Sequence, residues 1–215
     1  MRHYDGFTLL VGAISFGAAA ATRIFGTRLR KARKRHLATH SPKCEIANAV
    51  AGKRILISGR VQKLEGVLNA PLTDKACVAY HASIASLVRR RRQTVLQKVF
   101  DETEVRDFLV RDQSGVAMVR PDKRSLLLVE DNPEPLGGER YSVLLEQVTQ
   151  IEGQSGQDDS EWKEGALHEG DECVVVGRGT WVEDTHNVSG SADYRTAAKL
   201  LVIEAEVISD DPKLL

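Results

Sequence analysis

The sequence predicts a mainly β, antiparallel domain, barrel-like and of OB type or close to it, behind one N-terminal transmembrane helix. Three observations predict this. An uncharged run of seventeen residues, GFTLLVGAISFGAAAAT, lies near the start. From Arg54 onward, short segments alternate apolar and polar residues, the period of a half-buried strand. Net charge is zero, but residues 1–35 hold eight basic and one acidic residue, while the rest hold twenty-two and twenty-nine. A basic start and a mildly acidic body read as two objects joined.

The apolar run sits at the short end of what spans a bilayer. Phe7, Leu9, Leu10, Val11, Ile14 and Phe16 supply its bulk, Ile24 and Phe25 extend it, and Arg23 can snorkel outward. A cleaved signal peptide is the competing reading, with small residues at Ala19 to Ala21 as its cleavage site. The charge order argues for an anchor: Arg2 and Asp5 precede the run, whereas Arg23, Arg28, Arg30, Lys31, Arg33, Lys34 and Arg35 follow it. Such a flank stays in the cytoplasm and keeps the following domain there. The stretch TRLRKARKRHLATH is expected to continue as a helix along the inner leaflet. Arg28, Arg30, Lys31, Arg33, Lys34 and Arg35 would there meet anionic head groups at roughly 1 kcal/mol per charge. The expected organisation is an anchor over 1–25, a basic juxtamembrane segment over 26–50, a β domain over 51–209 and a tail over 210–215.

In the body, Ile55, Ile57 and Val61 alternate with Leu56, Ser58 and Arg60, and Val78, Tyr80, Ala82 and Ile84 share one strand face. Further strands are expected at 94–100, 105–111, 116–119 and 125–129, then in DECVVVGRGTWVE and AKLLVIEAEVIS. RDQSGVAMV reads as a hairpin turning at Gly115. Eight or nine short strands predict a closed or nearly closed antiparallel barrel. Leu144, Val148 and Ile151 lie at helical spacing and predict a short helix. EGQSGQDDSEWKEG reads as an acidic loop, with Trp162 folding back onto the barrel.

The segment GKRILISGRVQKLEGVLNAPLTDKACVAYHASI resembles the start of the GIDE, or "beside a membrane", domain of mitochondrial membrane-anchored ubiquitin ligases and bacterial membrane proteins. Gly59, Val61, Ala70, Pro71, Leu72, Cys77, Val78, Ala79 and Tyr80 carry the resemblance. FLVRDQSGVAMVRP is similar to a later hairpin of that family. EWKEGALHEGDECVVVGRG is similar to its return strand, through Leu167, Gly170, Asp171, Val174 and Gly177. The similarity runs from Gly52 to Ile208. It implies a domain beside a membrane, scaffold in character. The ligases carry a second membrane helix and a zinc-binding RING. This chain has no second apolar span, and its three cysteines fall short of the roughly eight ligands two zinc ions require. The resemblance therefore implies no ligase chemistry and no catalytic residue.

No catalytic motif, metal site or cofactor is expected. Cys44, Cys77 and Cys173 are too scattered for zinc and read as ordinary thiols. His81, beside Tyr80, reads as a strand histidine pointing outward or into a satisfied pocket. Arg89, Arg90, Arg91 and Arg92 read as a solvated hairpin tip, with a lipid or protein partner as the functional alternative. Nucleic acid is not expected as a partner, because the body lacks a positive field and the arginine run lacks interleaved aromatics for base stacking. The reading is a membrane-anchored interaction or sensing module without chemistry of its own. Its partners are the membrane and an unidentified protein. The alternatives are an accessory subunit of a ubiquitin-like modification pathway and an OB-like nucleic-acid binder.

Overall fold

The computed structural model describes residues 28–64, 66–90, 93–132, 139–155, 160–184 and 199–214. The anchor residues Phe7, Leu9, Leu10, Val11, Ile14, Phe16, Ile24 and Phe25 lie outside them. Among the described residues no helix is long and apolar enough to cross a membrane.

The described residues form ten strands and two α-helices. A helix over residues 28–40, α1, comes first. It is followed by β1 (Arg54–Lys63), β2 (Leu68–Asn69), β3 (Ala76–Cys77), β4 (Ala79–Arg90), β5 (Gln93–Val105), β6 (Phe108–Arg111) and β7 (Val116–Arg120). Then come α2 (Glu139–Ser155), β8 (Ser160–Leu167), β9 (Glu172–Glu183) and β10 (Lys199–Ser209).

Five of the strands close a barrel in the order β1-β6-β7-β10-β9 and back to β1. Alternate residues point inward, as the period of two requires. Ile55, Ile57, Val61, Phe108, Val110, Ala117, Val119, Val175, Leu201 and Ile203 fill the interior, and Ile46 from a short 3-10 turn plugs it. Each large aliphatic side chain so buried stabilises by about 1.5–3 kcal/mol. At two inward positions the wall itself bends too close for any side chain. A Cβ on Gly59 would lie 2.4 Å from the Arg111 carbonyl oxygen, and one on Gly177 would lie 2.3 Å from that of Glu204. Glycine at such corners lets neighbouring backbones approach.

The expected barrel of eight or nine antiparallel strands is corrected on two counts. Only five strands line it, and β7 pairs with β10 in parallel. Strands β4, β5 and β8 form a separate antiparallel sheet, and β2 with β3 a two-stranded one. Helix α2 lies on the second sheet, with Leu144 and Val148 packed against Tyr80, Ala82 and Ile84. Trp162 belongs to β8 rather than to a loop, and packs in this second core 5.5 Å from the Tyr141 ring.

Two expected strands are also redrawn. The run 105–111 breaks at Arg106, whose N–H bonds to the Val78 carbonyl, so β5 ends in one sheet and β6 begins in the other. The run 125–129 is no strand. Asp122 caps a 3-10 turn over Lys123–Ser125, and the chain then follows β10 as an extended strap with a single bridge, Leu126 to Ile208. The 112–115 hairpin turn forms as expected. Asp112 accepts from the backbone of Ser114 and Gly115 and from the Ser114 hydroxyl.

Candidate functional site

Three of the residues in α1 set how it is held. Lys34, Leu37 and Ala38 stand at i, i+3 and i+4, one face of the helix. Ala38 is 3% exposed, in a cluster with Leu56 of β1, Leu127 of the strap, Val174 and Val176 of β9 and Val207 of β10. Leu37 and Leu214 pack at its edge. These β1 and β9 residues are the outward-facing partners of the barrel lining, so the helix lies across the outside of the barrel wall. Burial and the neighbouring charges of Lys31 and Arg30 lower the Lys34 pKa, and its ammonium donates to the Leu126 carbonyl at 2.8 Å. One turn earlier, Lys31 bridges Glu130 at 3.0 Å.

The linker behind the helix is equally fixed. Leu56 N–H donates to the Pro42 carbonyl at 2.9 Å, and Cys44 N–H donates to the Leu56 carbonyl at 3.0 Å. Ile46 N–H donates to Asp112 at 2.9 Å and Ala47 N–H to the Ser114 hydroxyl at 3.0 Å. The helix is thus placed by the barrel rather than tethered to it. Arg28, Arg30, Arg33 and Arg35 of the helix are all exposed. The six cations singled out in the sequence therefore divide. Lys31 and Lys34 bond to the body, and the four arginines are exposed at several angles around the helix. His36 and His40 stack at 4.0 Å between ring centres, as their i, i+4 spacing dictates.

The strap anchors a second cluster. His81 on β4 sets Nε2 3.0 Å from Asp101 Oδ1 and Nδ1 3.3 Å from Glu130 Oε1. Glu130 in turn meets Lys31, and Asp101 meets Lys98 at 2.7 Å. Hydrogen bonds to Glu130 and Asp101 raise the His81 pKa against the opposing effect of burial. The His81 and Lys31 contacts hold the Glu130 carboxyl down at about 2. The satisfied-pocket reading of His81 holds in the sense that both ring nitrogens face partners. Nothing in the sequence marks Glu130 as one of them, because the strap reaches His81 only through the fold.

Among the described residues no group of three or more His, Cys, Asp or Glu could hold a metal ion. Burial raises the thiol pKa of Cys77 and of Cys173 to about 12, so both are inert. Tyr80, Glu102 and Arg140 form a buttress between the sheet and α2. The Tyr80 hydroxyl donates to Glu102 at 2.5 Å, and Arg140 meets both Glu102 oxygens at 2.9 Å. Of the arginine run, Arg89 and Arg90 close β4, Arg89 opposite Thr94 and Arg90 opposite Gln93 of β5. Arg91 and Arg92 lie outside the described residues. Early in β5, Val95 and Leu96 are 46% and 53% exposed.

No family model matches the chain, and no curated protein matches it.

Proposed function

We propose that this chain is a membrane-anchored, non-catalytic interaction or sensing module. Residues 6–25 insert, the outer face of α1 lies on the cytoplasmic leaflet, and the β body presents its surfaces to a protein partner. The observation that carries the reading is the division of α1. Lys31, Lys34 and Ala38 fix it to the body, and Arg28, Arg30, Arg33 and Arg35 stay exposed directly after the apolar segment. Clusters of Arg and Lys beside a membrane segment are attracted to anionic lipid, and a helix rigid on the barrel would pass that orientation to the whole body.

The barrel order supports an OB-like fold, a five-stranded Greek-key barrel that takes ligands over the face of its second and third strands. Here those strands are β6 and β7. Their outward face carries Leu109, Arg111, Val116, Met118 and Arg120. No aromatic residue is among these, so the face suits a protein surface better than stacked bases. The resemblance to the GIDE domain points the same way, to a module beside a membrane.

Fractionation tests the reading. The full chain should stay with membranes through high salt and alkaline carbonate, and protease added outside spheroplasts should leave the body intact. Release by salt alone would show that the arginines hold it without an anchor. Digestion of the body from outside would reverse its orientation.

A further inference from the structure

We infer that His81 is a protonation-controlled latch that holds the strap over residues 126–131, and through it α1, against the second sheet. The inference concerns the regulation of the helix that the proposed function sets on the membrane, and its geometry stands apart from any membrane. A neutral imidazole has one N–H and one lone pair, so it donates to one acceptor only, whereas the imidazolium donates from both nitrogens. Both His81 nitrogens face carboxylates, Asp101 at 3.0 Å and Glu130 at 3.3 Å, and an ionised carboxylate only accepts. The arrangement therefore requires the imidazolium. Loss of its proton sets a ring lone pair against one of the two carboxylates.

The two carboxylates belong to different elements, so this conflict is mechanical. Asp101 is built into β5 and is also held by Lys98. Glu130 sits on the strap, whose tie to β8 is the Asp131–Glu164 backbone bridge and whose tie to α1 is Lys31. The strap is the side that gives. Other charges near the cluster are already engaged: Lys163 of β8 meets Glu161, and Lys123 meets Glu104. Within α1, His36 and His40 are paired with each other, through a bond from the His40 ring to the His36 carbonyl and a ring contact.

The sign follows from the raised His81 pKa. The latch is fully closed between about pH 4.5, the ordinary value of a glutamate, and about pH 6.5, that of a free histidine, and opens as pH rises through the higher value of the folded state. Carboxylate protonation does not intervene near neutrality, because both partners are shifted downward.

Two measurements on the full chain test this. The imidazole carbon shift of His81, followed by NMR, should titrate above pH 6.5, and Glu130→Gln should move the midpoint down. Hydrogen exchange of 28–40 and 126–131, corrected for the intrinsic rate, should accelerate at least several-fold across that midpoint in the native chain. In His81→Gln it should be fast throughout and independent of pH. A midpoint at or below pH 6.5, or protection flat with pH in the native chain, overturns the latch. A pH response that survives in His81→Gln overturns it also. None of these readouts involves a bilayer, so failure of the membrane reading would leave them unchanged.

Discussion

Replacing Ala38 by glutamate should release α1 from the barrel while leaving the barrel folded. The side chain at 38 is 3% exposed and meets Leu56, Leu127, Val174, Val176 and Val207. A carboxylate forced among them without a partner costs several kcal/mol. Against this stands what the docked helix gains. Burial of the Ala38 methyl and half of Leu37 contributes about 2 kcal/mol, and the Lys34 bond to the Leu126 carbonyl about 1. The Lys31–Glu130 bridge, with Lys31 mostly exposed, adds about 0.5 kcal/mol at most. The total of about 3 kcal/mol is smaller than the penalty, so the helix lets go. A docked state worth about 3 kcal/mol protects its amides about a hundredfold beyond the undocked helix, and that protection should vanish over residues 28–40. Hydrogen exchange read by mass spectrometry measures it, with amides of β1, β9 and β10 as internal controls. Unchanged protection in 28–40 would refute the packing argument. Loss of protection throughout the barrel would show that α1 is inseparable from the fold.

The remaining predictions concern buried polar groups and thiols. Glu164, 7% exposed, accepts from Leu72 N–H at 2.8 Å and from the Thr73 hydroxyl at 2.6 Å. Glu164→Ala strands both donors and should destabilise by about 2–4 kcal/mol in urea unfolding at constant m-value; a loss under 1 kcal/mol would mean that the turn at Leu72 relaxes freely. A thiol reagent at pH 8 should find at most Cys44 in the native chain and all three cysteines in denaturant, since Cys77 and Cys173 are 1% and 0% exposed with pKa raised to about 12. Rapid native labelling of Cys173 would place an opening in the barrel wall. Acid should loosen the strap as well. The Glu130 pKa is depressed to about 2, so its stabilisation is present above about pH 4.5 and is lost as pH falls from there through 2. Glu130→Gln should flatten the stability curve across that window in a pH series of denaturant melts.

What the sequence determines by itself is local. Alternation in ILISGRV and LLVIEAEV requires half-buried strands, because a period of two puts every second side chain on one face. The Asp112–Gly115 turn is written in DQSG, whose aspartate reaches its own backbone two and three residues on. Leu144 and Val148 announce a helix face by their spacing, and the cations of 28–35 announce a basic helix. The tertiary structure decides which strand joins which sheet. Alternation in β4 looks the same as in β1, yet β4 leaves the barrel to pair with β5 and β8. The parallel pairing of β7 with β10 closes the barrel across a long stretch of chain, and no local pattern encodes its partner. The same holds for α1, where Ala38 looks no different from Ala32 until the barrel wall buries one and leaves the other exposed. His81 and Glu130 meet because the strap passes over β4, a contact set by the path of the chain around two sheets and not by the residues on either side of each.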